Sequence, residues 1–559
     1  MIIKLAEVLQ NRVKKIPEIL AETAPADLYR LAMESYQSPE EIQELVLNQI
    51  LEFSGETEFG RNHHFHEIHN AGDFRRLVPI SEWPDYEILS DRMAGGEPDI
   101  LFPGKAIFFI TTTGTTGNKP KLIPESGPGA IARNAVMQLR MMSMNRHFPG
   151  ILNNGSVFPL SNYTPGWKTS AGIPVAYASG VTLDQSMAGG QPLRVAFPMT
   201  IFAIADPVIR DYLLMRYAVQ HKDLTVIAGN NAGRIRELVA LADSQSDRII
   251  HDIEMGTFDG AGVIEAGIGH KLEQQTIPDP ERALELRHIM EKTGSLLPKD
   301  YWPSLQLLAF WLSASVGHYI RDVKPLMPST TKYMDMGYGA SEGKFNIPDE
   351  VDKAAGPLSL LTAFYEFIPV EGGAPLMAHQ LENNKSYEMV ITTWAGLYRY
   401  NLGDVIKVDG FTGKTPNIVF QYKSGEILNI AEEKTPASVV SDTIREMAAT
   451  SGIVPVQIQI YPDEAGRIYL CYVEPTPDTA GFDATGLGEK THLQLAQSNI
   501  IYNMIVYQQK LMNPLKIIEM KQGWQRHLYQ IKTGAGQSST QVKLPVMIKQ
   551  KPDPDWIKE

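Results

Sequence analysis

A loop rich in threonine and glycine follows a short apolar segment early in the chain. Residues 106–110 read Ala-Ile-Phe-Phe-Ile, which is typical of a buried strand, and they run directly into a polar loop that ends at Lys121. Threonine hydroxyls and glycine amides can surround phosphate oxygens, and Lys121 supplies a positive charge. The loop is not a Walker A motif, because Pro120 stands where that motif has its second glycine. We therefore predict a phosphate-binding loop, with an ordinary surface turn as the alternative.

A second polar segment, residues 338–343, reads Tyr-Gly-Ala-Ser-Glu-Gly and follows a strand-like stretch at 332–336. Its aromatic ring could stack on a purine, and Glu342 is a hard oxygen ligand of the kind that Mg²⁺ prefers. The same letters satisfy the G-x-S-x-G motif of serine hydrolases, with His379, His492 and His527 downstream. A hydrolase nucleophile leads straight into a helix, whereas Pro348 follows here within two turns. We therefore favour the nucleotide interpretation.

A third segment, residues 396–406, places Asp404 just after a glycine at the start of an apolar strand. A carboxylate in this position could accept hydrogen bonds from both hydroxyls of a ribose. Read in isolation, a Gly-Asp pair is also typical of a simple turn.

Two other motifs are interpreted as structural. Residues 413–415, Gly-Lys-Thr, resemble the end of a phosphate loop, but Val408 stands where the first glycine would be, so we predict a hairpin turn. The histidine-rich stretch 63–69 contains H-E-x-H instead of the zinc-binding H-E-x-x-H, and we predict a surface histidine cluster.

The elements that must position these segments indicate an α/β protein with two folding units. Residues up to about 103 are mainly helical in pattern, and apolar strands such as 224–228 and 387–393 then alternate with helical stretches such as 233–240, which favours a largely parallel sheet. The character changes after residue 421, where a hairpin across 454–473 and a helix over roughly 492–511 predict a compact α+β unit. We predict domains at 1–421 and 422–559.

Composition restricts the partners and the compartment. The formal net charge of −13 repels nucleic acid and anionic lipid, so neither is an expected partner. A lone cysteine, Cys471, fits a reducing compartment. The first ten residues have the spacing of an amphipathic helix instead of a signal peptide, and no apolar run approaches the ~20 residues of a membrane span. We expect a cytoplasmic protein.

Taken together and in this order, the three polar segments resemble the adenylate-forming superfamily, which includes luciferases and acyl-CoA ligases. They are most similar to the auxin-responsive Gretchen Hagen family of acyl acid amido synthetases. The likeness covers most of the chain, and its most family-specific part is the run 393–400, Thr-Trp-Ala-Gly-Leu-Tyr-Arg-Tyr, followed by Leu-Gly-Asp-Val at 402–405. The resemblance implies a large adenylation domain with mixed sheets and helices, plus a small mobile α+β domain.

The resemblance also implies an activity and a set of site residues. The enzyme would use ATP and Mg²⁺ to adenylate a small carboxylic acid and would then pass the acyl group to an amine, expected to be an amino acid. The ATP phosphates would be held by Thr112, Thr113, Gly114, Thr115 and Thr116, and the adenine would be framed by Ala314, Ser315, Val316, Tyr338, Gly339, Ala340 and Ser341. Glu342 would bind Mg²⁺, Asp404 would bind the ribose, Lys423 would mark the hinge, Lys434 would reach the α-phosphate, and Lys543 would be a mobile lysine.

Other interpretations stay open at this point. An acyl-CoA ligase would share the same ATP machinery, and a regulator could bind the nucleotide without catalysis. The acyl pocket is expected on the helix after Lys121, where Arg133 or Arg140 could pair with a carboxylate, although either would more often be a solvated surface arginine. The sequence does not identify the acid, the amine or the oligomeric state.

Overall fold

The computed structural model describes residues 14–558, with the exception of 112–120, 161–166, 178–192, 205, 230–232, 259–263, 314–319, 321–322, 432, 434, 478–480, 509 and 535–543. The contacts between Cα atoms divide the chain into two compact units. The first consists of Met1–Leu402 and Ile406–Phe420, and the second of Gly403–Val405 and Gln421–Glu559.

The first unit is rich in helices, and its first hundred or so residues are mainly helical, as the sequence pattern predicts. In chain order the helices of this unit are α1 (Ile16–Glu22), α2 (Pro25–Ser35), α3 (Pro39–Ser54), α4 (Glu58–Asn62), α5 (Ala71–Leu77), α6 (Trp83–Ala94), α7 (Gly127–His147), α8 (Pro207–Gln220), α9 (Gly233–Ser244), α10 (Ser246–Met255), α11 (Ala266–Gln275), α12 (Pro280–Thr293) and α13 (Pro298–Tyr301). Several begin at a side-chain cap: Asn70, Ser126, Asp206 and Asp279 each accept a hydrogen bond from a first-turn N–H group.

The strands of this unit begin directly before the polar loop and continue up to the division between the units. They are β1 (Phe108–Thr111), β2 (Leu122–Glu125), β3 (Ser156–Leu160), β4 (Trp167–Lys168), β5 (Pro174–Tyr177), β6 (Leu224–Gly229), β7 (Leu307–Phe310), β8 (Lys332–Asp335), β9 (Gly356–Pro357), β10 (Ala363–Pro369), β11 (Leu376–Met377), β12 (Ser386–Thr393), β13 (Tyr400–Thr412) and β14 (Thr415–Lys423). Residues 403–405 of β13 and 421–423 of β14 are assigned to the second unit.

One sheet has the parallel arrangement that the sequence predicts. Its order is β3-β6-β7-β8, and each neighbouring pair is parallel. Strand β6 is buried along most of its length, as expected for a strand covered by helices on both faces.

The prediction of a largely parallel body is wrong for the six-stranded sheet, whose order is β11-β10-β12-β13-β14-β9. Strands β10 and β12 are antiparallel, with Ala363 opposite Thr393. The connections 394–399 between β12 and β13 and 413–414 between β13 and β14 are too short to hold the helical crossover that a parallel pair needs. Residues 413–414 form the turn between β13 and β14, which confirms the predicted hairpin turn.

Two large apolar clusters form the core of the first unit. One joins the N-terminal helices to the six-stranded sheet and includes Ile42, Leu47 and Phe364. The other surrounds the parallel sheet and includes Ile227 and Leu308. The polar segments predicted to carry chemistry emerge from these buried strands.

The second unit is a small α+β body. Its helices and strands are β15 (Ile427–Leu428), β16 (Thr435–Pro436), α14 (Ala437–Thr450), β17 (Pro455–Asp463), β18 (Ile468–Pro475), α15 (Ala484–Ser498), α16 (Ile500–Asn503), β19 (Lys516–Glu519) and α17 (Trp524–Gly534). Strands β17 and β18 pair antiparallel, which confirms the predicted hairpin, and β19 joins β18 in parallel. Cys471 is buried in β18.

The helix predicted over 492–511 is wrong in its bounds. It begins at Ala484, where the Asp483 side chain caps the first turn, and it ends at Ser498. Asn499 is extended, and its side-chain oxygen accepts a hydrogen bond from the Tyr502 N–H at 3.0 Å, so the chain starts a new turn there.

Among the described residues, no helix combines the length and the apolar character that a membrane span requires.

Candidate active site

The predicted phosphate loop connects two neighbouring antiparallel strands. Strand β1 ends at Thr111, which lies opposite Leu122 in β2. The predicted phosphate ligands Thr112, Thr113, Gly114, Thr115 and Thr116 lie outside the described residues. Lys121, the last residue of the predicted loop, is described, so the structure gives the position where the loop ends.

Lys121 contacts residues that come from distant parts of the chain. Its Nζ donates a hydrogen bond to the Tyr400 hydroxyl at 3.0 Å and lies 5.6 Å from the centroid of the Trp83 ring. The same ammonium lies 3.8 Å from a carboxylate oxygen of Glu342. The structure therefore brings together Lys121 and Glu342, which were predicted from separate segments.

Glu342 lies at the tip of a tight turn. The Ala340 N–H donates to the Gly343 carbonyl at 2.9 Å, and the Gly343 N–H donates back to the Ala340 carbonyl at 3.3 Å. The Glu342 side chain is buried and accepts a hydrogen bond from the Tyr400 hydroxyl at 3.3 Å. A carboxylate on such a turn, together with nucleotide phosphates, is a donor set that fits Mg²⁺.

Tyr400 connects the two charges, because its hydroxyl accepts from Lys121 and donates to Glu342. The sequence interpretation named the run 393–400 as family-specific but gave Tyr400 no role. The signal that could have identified it is the position of a tyrosine at the end of that run, directly before a predicted strand.

Tyr338, predicted to frame the adenine, belongs to an aromatic group. Its ring is stacked on Phe420 with centroids 5.4 Å apart, and it is tilted against Phe345 at 5.1 Å. Gly339 and Ala340 continue the chain from Tyr338 towards the turn. The other predicted adenine residues, Ala314, Ser315 and Val316, lie outside the described residues.

A buried aspartate supports the start of this segment. Asp335, the last residue of β8, accepts hydrogen bonds from the N–H groups of Leu312 and Gly337, both at 2.6 Å. Burial raises the pKa of the Asp335 carboxyl to about 6, although these two N–H groups and the charge of Arg140 oppose the shift.

Arg133 and Arg140 are buried, so the prediction of solvated surface arginines is wrong. They lie seven residues apart on one face of α7, and that face packs against the segment 338–346. Arg140 donates to the carbonyls of Tyr338 and Asn346 at 3.0 and 2.9 Å, and burial lowers the pKa of its guanidinium to about 10. Arg133 donates to Glu125 at 3.0 Å and to the Ser341 carbonyl at 3.0 Å.

A cleft extends from Glu342 between β2, α7 and the turn after β12. It is lined by Glu125, Gly129, Ala132, Arg133, Glu342, Gly343, Lys344, Phe345, Thr362, Ala363, Thr393, Trp394 and Ala395. Burial raises the pKa of the Glu125 carboxyl, against the opposing charge of Arg133. The sequence interpretation did not single out Glu125, and it treated Thr393 and Trp394 only as part of a family-specific run.

Asp404 and Lys423 lie in the second unit and form an ion pair. Asp404 is buried in β13, whereas the Lys423 side chain at the end of β14 is 56% exposed. The structure thus brings together the predicted ribose ligand and the predicted hinge residue. Lys434 and Lys543 lie outside the described residues.

The surroundings of Ser341 do not have the geometry of a serine hydrolase site. No helix follows Ser341, and within the described part of the chain no hydrogen bond joins its hydroxyl to a histidine. The Nδ1 of His492, for example, pairs with the Tyr502 hydroxyl at 3.1 Å. In the histidine-rich stretch, the side chains of His64, His66 and Glu67 are exposed, in agreement with the predicted surface cluster.

Two solved structures have a fold similar to that of this chain. The chain superimposes on an AtGH3.15 acyl acid amido synthetase in complex with 2,4-DB with a TM-score of 0.82 at 20% identity, covering 94% of this chain and 95% of that one. A 2-hydroxyisobutyryl-CoA ligase in an open conformation gives a TM-score of 0.50 at 14% identity, covering 84% and 92%. The chain therefore shares its fold with this class of ligases.

Within that class, the chain belongs to the GH3 family. The model of the GH3 family N-terminal domain matches residues 32–332, and that of the GH3 family central domain matches residues 357–423. Among curated relatives, an indole-3-acetic acid-amido synthetase GH3.4 of Arabidopsis thaliana is 24% identical over 91% of this chain and 89% of its own length. A jasmonoyl--L-amino acid synthetase JAR6 of Nicotiana attenuata is 25% identical over 70% of each chain.

Proposed function

We propose that this protein is an ATP-dependent acyl acid amido synthetase. It adenylates a small carboxylic acid and transfers the acyl group to an amine, which we expect to be an amino acid. The observation that carries the proposal is a buried carboxylate, Glu342, held beside Lys121 by Tyr400 within a GH3 chain. The names of the relatives, which are amido synthetases of indole-3-acetic acid and of jasmonic acid, support the same reaction class.

In the first half-reaction, an oxygen of the substrate carboxylate attacks the α-phosphorus of ATP. The bond from that phosphorus to the bridging oxygen breaks, and pyrophosphate leaves with the electron pair. The proposed phosphate loop, residues 112–116, orients the phosphates, while the positive charge of Lys121 offsets the negative charge of the transferring group. Mg²⁺, held by Glu342, would add charge neutralisation at the phosphates.

The other proposed nucleotide contacts complete this site. Tyr338 to Ser341, with Ala314 to Val316, frame the adenine, and Asp404 accepts hydrogen bonds from the ribose. Lys434 and Lys543 are our proposed catalytic lysines, and Lys434 is assigned to the α-phosphate. The ion pair between Asp404 and Lys423 supports a link between ribose binding and the hinge, because a ribose would compete with Lys423 for the same carboxylate.

In the second half-reaction, the nitrogen of the amine attacks the acyl carbon. A carbon–nitrogen bond forms, the bond from that carbon to the phosphate oxygen breaks, and AMP leaves while the amine releases its protons. We propose that residues 1–421 form the adenylation domain and residues 422–559 a mobile domain that moves about Lys423 between the two half-reactions. Exclusion of water at this stage protects the acyl adenylate from hydrolysis.

We infer the kind of substrate and the location of the protein from the composition of the chain. The net charge of −13 supports small-molecule substrates over nucleic acid or anionic membrane surfaces, and the buried Cys471 is compatible with a reducing compartment. We propose a cytoplasmic location.

An acyl-CoA ligase is the second candidate, because it would need the same ATP site and shares the fold. Acid-dependent exchange of radiolabelled pyrophosphate into ATP, measured across an acid library, tests the first half-reaction. The best acid is then supplied with ATP and either CoA or an amino-acid mixture, and the product mass identifies the acceptor. We expect an amide. A thioester would support the ligase, and ATP binding without any exchange would support a non-catalytic regulator.

A further inference from the structure

A turn at the surface of the first unit carries two histidines and a glutamate side by side. His64, His66 and Glu67 are exposed, and a ligand atom from each lies within 4.8 Å of the other two. Within the described part of the chain, no other group of three histidine, cysteine or carboxylate side chains has this arrangement. The stretch lacks the H-E-x-x-H motif of helical zinc sites, so these side chains form a different donor arrangement.

The distances between the donor atoms fit a bound metal ion. Glu67 Oε1 lies 3.4 Å from His64 Nδ1 and 3.6 Å from His66 Nε2. Two donors that are bound to a tetrahedral zinc ion at about 2.0–2.1 Å lie about 3.3–3.4 Å from each other. Small rotations of exposed side chains would therefore bring all three donors to one ion.

The fold brings the donors together and anchors the turn that carries them. His64 has a left-handed backbone with a φ of 52°, and its carbonyl accepts a hydrogen bond from the Glu67 N–H at 2.8 Å, so these two side chains lie one turn apart. Phe65, between them, is buried, and its ring lies edge-on to the Tyr398 ring with centroids 5.0 Å apart. A donor set on an anchored turn loses less conformational freedom when an ion binds.

Two imidazole nitrogens and one carboxylate oxygen restrict the kind of ion. Imidazole suits Zn²⁺, Cu²⁺ and Ni²⁺, whereas Mg²⁺ prefers oxygen ligands. From this arrangement we propose that His64, His66 and Glu67 form a surface site for a divalent transition metal, with water in the remaining positions. The site shares no residue with the proposed nucleotide site, so it goes beyond the proposed function and stands or falls independently of it.

Zinc binding to the full chain tests the site. The protein, free of metal and of any histidine tag, is dialysed to equilibrium against Zn²⁺ with an excess of Mg²⁺, which competes for sites made of oxygen donors only. We expect about one Zn²⁺ per chain, bound at least tenfold more weakly by His66→Ala and by His64→Asn. Asparagine tolerates the left-handed backbone at this position. Unchanged affinity in both variants, or no zinc bound by the unaltered protein, would overturn the site.

His270→Ala is the matched control. The exposed imidazole of His270 lies 3.8 Å from Glu273, one turn later on α11, but its other ring nitrogen lies 3.0 Å from the Gln274 amide instead of a second histidine. This variant should bind zinc as tightly as the unaltered protein. A loss of affinity equal to that of His66→Ala would overturn the assignment, because any exposed histidine would then serve.

Copper identifies the donors directly. Electron paramagnetic resonance of the Cu²⁺-loaded protein should show two coordinating imidazole nitrogens in the unaltered chain and one in His66→Ala. The same nitrogen coupling in both proteins would overturn the assignment of His66 as a ligand.

Discussion

At the scale of single residues, the candidate site is built on Glu342, Tyr400 and Lys121. A tyrosine hydroxyl lies between a carboxylate and an ammonium, so both charges are partly compensated inside the protein. A nucleotide with its metal would take over this compensation, since its phosphates attract Lys121 and its metal attracts Glu342.

Glu342→Gln should therefore impair adenylation strongly. The amide keeps the size of the side chain but is a poor ligand for Mg²⁺, so we expect acid-dependent pyrophosphate exchange to fall by about 100-fold or more. Ser341→Ala, at the neighbouring turn position, should cost less. A serine hydrolase would show the opposite order, with activity lost at Ser341 and kept at Glu342.

Asp335 makes a testable contribution to stability. The pKa of its carboxyl is about 6 in the folded protein, above its ordinary value of 3.8, so the folded state binds more protons between these pH values. Its stabilising contribution is present below about pH 4 and is lost as the pH rises through 6, by about 3 kcal/mol in total. Asp335→Asn should remove this dependence, and Tm measured from pH 4 to 7 checks it. Parallel pH profiles of the variant and the unaltered protein would contradict the assignment.

At the scale of elements, a buried ion pair holds the turn that precedes Tyr400. Arg399 has a left-handed backbone with a φ of 47°, and it donates to Glu366 at 2.8 Å and to the Val78 carbonyl at 2.8 Å. Arg75 donates to the same glutamate at 2.8 Å. These contacts connect β10, helix α5 and the β12–β13 turn, and so they position Tyr400.

Arg399→Met should destabilise the first unit by roughly 3–5 kcal/mol, because among the described residues it leaves the buried Glu366 with Arg75 as its one cationic partner. Thermal or urea unfolding measures the loss. Arg76→Met is the matched control: its exposed guanidinium pairs with Asp73 at the surface, and its removal should cost less than about 1 kcal/mol. Similar losses in the two variants would contradict a structural role for Arg399.

Comparison of the predicted and observed elements shows which features the sequence could predict. Local patterns were sufficient for β6, for the β17–β18 hairpin and for the turn at 413–414. Strand direction in the six-stranded sheet and the burial of Arg133 and Arg140 depend on tertiary neighbours, which periodicity does not encode. The cleft beside Glu342 is lined by residues far apart in sequence, so it is recognised only in the folded chain.

At the scale of the whole molecule, we predict that Lys423 is the hinge of the proposed mobile domain. Its φ of −83° is close to the value that proline imposes, so we expect Lys423→Pro to restrict rotation about this residue. We expect this variant to form amide at least tenfold more slowly than Lys423→Ala while the two exchange pyrophosphate at similar rates. The alanine variant controls for loss of the ion pair with Asp404. Equal amide formation in both variants would contradict the hinge.

The central claim is that the acid attacks the α-phosphorus of ATP, and isotope transfer tests it most directly. The active acid is labelled with ¹⁸O in its carboxyl group and incubated with ATP and the acceptor, and the mass of the released AMP is measured. The account predicts one ¹⁸O atom in AMP for each amide formed, because the carboxylate oxygen stays on the α-phosphate when AMP leaves. Unlabelled AMP, or label found in inorganic phosphate with release of ADP, would contradict it.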